Sequence, residues 1–116
     1  MTLTIRSIPT VMGAHCLVLI TCADRDEGHG IGRRLVESGL AAGVQLIPID
    51  SMYRWKGDLF EDHETLLVVK TRADRFEAIS AVVGELHSYE VPPVLMVRID
   101  EASSQYLDWI DESVER

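Results

Sequence analysis

Apolar positions in this chain recur with two periods, and the switches between them mark out its elements. The run HCLVLITC at 15–22 is continuously apolar, the pattern of a strand buried on both faces. Asp24 with Glu27 three residues later has capping-box spacing. The helix it opens is expected to run to about Ala42, with Ile31, Leu35, Ser38 and Ala42 on one face and Gly43 as its C-terminal cap. A long hairpin follows, with arms at roughly 44–56 and 59–72, each more than twice the usual strand length of about 5–6 residues. Gly57-Asp58 reads as its turn, which sets Lys56 opposite Leu59 and Arg54 opposite Glu61. Pro48 cannot donate to a ladder, so it marks an edge or a bulge in the first arm.

A second helix is expected from Asp74, again with Glu three residues on, and carries Phe76, Ile79, Val82, Val83 and Leu86 at helical spacing. Two prolines in HSYEVPP (87–93) force an extended path. Residues 94–99 form a fourth strand. Ser103 or Ser104 then caps a last helix whose Tyr106, Leu107, Trp109, Ile110 and Val114 face inward. The order β-α-β-β-α-β with a C-terminal helix predicts an α+β, ferredoxin-like sandwich with an extended hairpin between its second and third strands. That fold decides no chemistry. Residues 1–14 read as an N-terminal extension, in which Met12 is an alternative start, and 15–116 as one domain.

Charge narrows the partners. With 11 basic and 19 acidic residues the net charge is −8, and the basic residues are scattered, which argues against nucleic acid and anionic membranes. No stretch reaches the ~18–20 apolar residues of a membrane span, and the N-terminus lacks the apolar core of a signal peptide. Cys16 and Cys22 fall on one strand, roughly 20 Å apart at ~3.3 Å per residue. That is beyond the ~7 Å a disulfide spans, so reduced thiols and a cytoplasmic location are expected.

Four separated blocks, SMYRWKG (51–57), ETLLVVKT (64–71), HSYEVP (87–92) and YLDW (106–109), resemble the CutA family in order and spacing. The likeness covers about 15–114. It implies a ferredoxin-like homotrimer, related in architecture to the PII signalling proteins and associated with tolerance to divalent metals, copper especially. It implies no catalytic reaction and no required cofactor, with a divalent metal or copper ion as the candidate ligand. The alternative is PII-like sensing of a small molecule, or a structural, partner-binding trimer without a metal role. Four positions depart from the family's pattern: Gly43 and Gln45 stand where it usually has Cys and Asn, Ser88 where it has Pro, and Pro93 where it has Glu.

Among candidate site residues, Cys22 ends the first strand near a copper-linked thiol of some relatives, and soft thiolates select Cu(I). The competing reading is a small core hydrophobe. His87, between a helix end and the proline segment, is the second metal candidate, at a position where side chains are often exposed. A histidine settled by the helix dipole is its alternative. His15 and Cys16 point to opposite faces of a strand and cannot chelate together. His29 and His63 read as surface residues. No closed zinc motif is present. Gly28, Gly30 and Gly32 open a helix after a strand, but their spacing and the neighbouring acids do not suit a phosphate. Tyr53, Trp55, Lys70, Tyr89 and Trp109 make up the remaining constellation, read either as packing at the trimer interface or as an aromatic-walled cleft between subunits with Lys70 and His87 as its polar groups.

Overall fold

The computed structural model describes residues 14–115; the N-terminal extension through residue 13, with the alternative start at Met12, and Arg116 lie outside them. The elements are β1 (His15–Cys22), α1 (Arg25–Glu37), β2 (Gly43–Trp55), β3 (Asp58–Arg72), a 3-10 turn (Ala73–Arg75) running into α2 (Phe76–Leu86), β4 (Val94–Arg98) and α3 (Ser104–Ser113). The four strands form one antiparallel sheet in the order β2-β3-β1-β4. This is the α+β, ferredoxin-like arrangement expected from the element order. Pro48 sits on the edge strand, in unbroken register opposite Thr65, so the missing N–H is accommodated by the edge and not by a bulge.

The core lies on one face of the sheet. Cys16, Val18, Ile20 and Cys22 alternate along β1 and, with Leu67 and Val69 of β3, pack against Ile31 and Leu35 of α1 and Ile79 and Val83 of α2. The other face of β1, Leu17, Leu19 and Thr21, is only half-buried, because among the described residues only α3 reaches that face, at its His15 end through Asp111. The continuous apolar run thus serves one covered face and one open one.

Several local expectations are corrected. Helix α1 ends at Glu37 and not near Ala42, because Gly39 takes a left-handed φ of +77°. Its amide bonds Val36 O (3.1 Å) and that of Leu40 bonds Leu35 O (3.0 Å), closing the helix with the paired bonds of a Schellman motif. A β-carbon at Gly39 would stand 2.3 Å from Glu115 Cγ. Gly43 starts β2 instead of capping the helix.

The hairpin turn is Lys56-Gly57, one residue earlier than expected, and both central residues have positive φ (48° and 89°). That is the signature of a type I′ turn, whose twist matches the flanking strands. Arg54 therefore faces Leu59, Met52 faces Glu61, and Tyr53 faces Phe60 with its ring stacked at 5.6 Å. The two-residue shift keeps every side chain on its expected face. Asp74 does not cap α2, since its carboxylate is drawn to Arg72 Nη2 (2.9 Å). Ser103 does cap α3, accepting from Tyr106 N. On that helix Ile110 and Val114 are buried, but Tyr106 and Trp109 remain exposed, being too large for one short helix to cover.

Candidate hairpin pocket and the cluster at the end of β1

The hairpin projects far enough from the core to make the molecule 60 Å long and about 25 Å across. Near its tip Tyr53, Trp55 and Phe60 form one wall of a pocket of about 490 Å³. The segment after α2 supplies the opposite wall through Tyr89, Val91 and Pro93. Prolines 92 and 93 hold that segment off the helix and extended, so that Tyr89 can turn toward the hairpin.

Polar groups in the pocket are already paired. Tyr89 Oη donates to Glu64 Oε2 and Tyr53 Oη to Asp62 Oδ2, both at 2.5 Å. Glu64, only 6% exposed, is the buried anion of the site. Burial, then the bond to Glu64, pushes the Tyr89 phenol well above its ordinary value. The bond to Asp62 is the main cause of the rise at Tyr53, to about 12. Both phenols therefore stay neutral donors. Lys56 Nζ lies 5.4 Å from the centre of the Trp55 ring and 3.6 Å from Glu90 Oε2.

Tyr53, Trp55 and Tyr89 thus meet as expected, but within a single chain. Within this one chain Lys70 and Trp109 stand apart from them. Lys70 pairs with Gly43, ten residues of strand and roughly 33 Å from Tyr53. Its ammonium donates to Gln45 Oε1. Trp109 also packs there, with its Cη2 3.1 Å from where a β-carbon on Gly43 would stand. Gly43, standing where the family pattern has a side chain, leaves that indole its room. Phe60, Glu64 and Lys56 were not singled out from sequence. The period-2 pattern shared with Tyr53 could have placed Phe60 and Glu64 on its face.

The second cluster joins the end of β1, the start of α1 and the end of α2. Donor atoms of Cys22, Glu27 and His87 all lie within 4.8 Å of one another. Asp24 caps α1 by accepting from Glu27 N (2.8 Å), and Glu27 reaches back to Ala23 N (2.9 Å) and across to Ser88 N (2.9 Å). Burial raises its pKa, but these donors outweigh that and leave the carboxyl below its usual value.

His87 was expected to be exposed; its side chain is wholly buried, because the ring folds back over the end of β1. Nδ1 accepts from Tyr89 N (3.0 Å), so Nε2 carries the proton and donates to Thr21 O (2.7 Å). That assignment makes the ring neutral. Cys22 is fully buried, and burial, then the charges of Glu27, Asp24 and Glu64, pushes its thiol up to about 12. The metal ligand is the thiolate, not the thiol.

Cys22 and His87 therefore do meet in space, with Glu27 as a third donor that sequence reasoning had assigned only to capping. The three donors could hold an ion only if it displaced the Cys22 proton and one of the two hydrogen bonds of the His87 ring. His15 and Cys16 lie on opposite faces as expected, His15 Nε2 meeting Asp111 Oδ1 at 2.9 Å while Cys16 joins the core. His63 is solvated beside Asp50, and His29 is exposed.

Comparison with known proteins places this geometry. Residues 16–113 match the family described as CutA1 divalent ion tolerance protein. The divalent-cation tolerance protein CutA of Thermus thermophilus is 41% identical over 98 residues, covering 84% of this chain and 95% of that protein. The CutA of Archaeoglobus fulgidus is 37% identical over 101 residues, 87% of this chain and 99% of the relative. Its solved structure, described as that of a periplasmic protein, superposes with a TM-score of 0.85 over 87% of this chain and 99% of its own. The Synechococcus elongatus CutA structure, 29% identical, gives 0.83 over 95% of this chain and 99% of its own. The chain belongs to the CutA1 divalent ion tolerance family.

Proposed function

We propose that this chain acts as a homotrimeric, non-enzymatic divalent-cation tolerance protein of the cytoplasm. The observation that carries the tolerance role is the family match, which runs unbroken through every element from β1 to α3. Assembly is supported by the sheet face that the chain leaves open. Ile47, Leu95 and Val97 are 41–51% exposed there, beside half-buried Leu17, Leu19, Leu66 and Val68. An apolar sheet face of this extent calls for a protein cover. A non-catalytic role agrees with two buried, protonated thiols and an engaged His87. Among the described residues no helix is long and apolar enough to cross a membrane.

The test of the tolerance role is growth. Cells lacking their own family member should gain resistance to copper and other divalent ions when they express this chain, and equal growth with and without it refutes the role. Light scattering should give three times the 13.0 kDa chain mass. Leu95→Glu should lower that mass.

A second reading, small-ligand binding, is favoured by the hairpin pocket, which one chain builds from two distant segments. Thermal stabilisation by a metabolite with no response to metals would select it.

A further inference from the structure

We draw no further inference here: the strongest candidate, the side-chain cluster of Cys22, Glu27 and His87 where the end of β1 meets α1 and the end of α2, belongs to the site already described and to the divalent-ion property of its family.

Discussion

The backbone amide of Ser88 donates a 2.9 Å hydrogen bond to Glu27, a residue 61 positions away, where a proline would have no N–H to give. The other oxygen of the same carboxylate accepts from Ala23 N. Glu27 thereby ties the end of β1 to the segment that carries His87 and Tyr89. A departure from the family pattern at 88 is, in this chain, a tether for one wall of the pocket.

Ser88→Pro should therefore destabilise the fold. Losing a bond to a carboxylate outweighs the gain from a stiffer unfolded chain, for a net cost of about 1 kcal/mol. Urea unfolding should show a lower midpoint with an unchanged slope. An unchanged midpoint would mean that Glu27 finds another donor.

The same carboxylate makes stability depend on pH. Its folded pKa lies below the ordinary unfolded value of about 4.3, so its contribution is complete above that value and is lost as pH falls through the folded one. Glu27→Gln should flatten the decline in stability below about pH 4.3 and leave a constant penalty at neutral pH. Parallel acid profiles for the two proteins would remove Glu27 as the cause.

Cys22 should be inert in the native state. Its thiol is fully buried and pushed up to about 12, and Cys16 to about 11, in both cases chiefly by burial. Thiol reagents at pH 8 should label neither cysteine until denaturant is added. Rapid labelling of folded protein at Cys22 would show that the β1 end opens, and would return that residue to the metal question.

At the hairpin turn Lys56 holds a φ of 48°, which costs a lysine more than an asparagine. Lys56→Asn creates the preferred Asn-Gly pair and should stabilise the chain by about 0.5 kcal/mol. The exposed contacts it gives up, to Glu90 and Trp55, are worth little. A lower melting temperature would show that those contacts outweigh the turn.

Much of the fold was legible because it rests on local periodicity. The alternation through 44–72 announced two long strands, and Asp24-x-x-Glu27 announced a helix start that the structure bears out. Turn placement was less legible. Gly57 marked the turn, but whether it occupied the first or second central position depended on Lys56 accepting positive φ, which depends on how the strands twist together. Helix α1 ended early because Gly39, not Gly43, takes the left-handed φ that closes it, at a position where Glu115 N also bonds Gly39 O from a distant part of the chain.

At the candidate site, residue types could be read but not their partners. Tyr53, Trp55 and Tyr89 were visible as aromatics, and Cys22 and His87 as potential ligands. Lys70 and Trp109 were grouped with them as walls of a cleft between subunits, and within one chain Lys70 lies ten ladder positions from Tyr53. By itself the sequence determined the elements and the hairpin, which follow from spacing along the chain, and its motif blocks carried the resemblance to the family. Only the tertiary structure decided that Glu64 lies buried under Tyr89, that Glu27 joins Cys22 and His87, and that the thiol there is protonated and the imidazole engaged on both sides. Burial and hydrogen-bond partners set those states, and both arise from segments that meet only when the chain has folded.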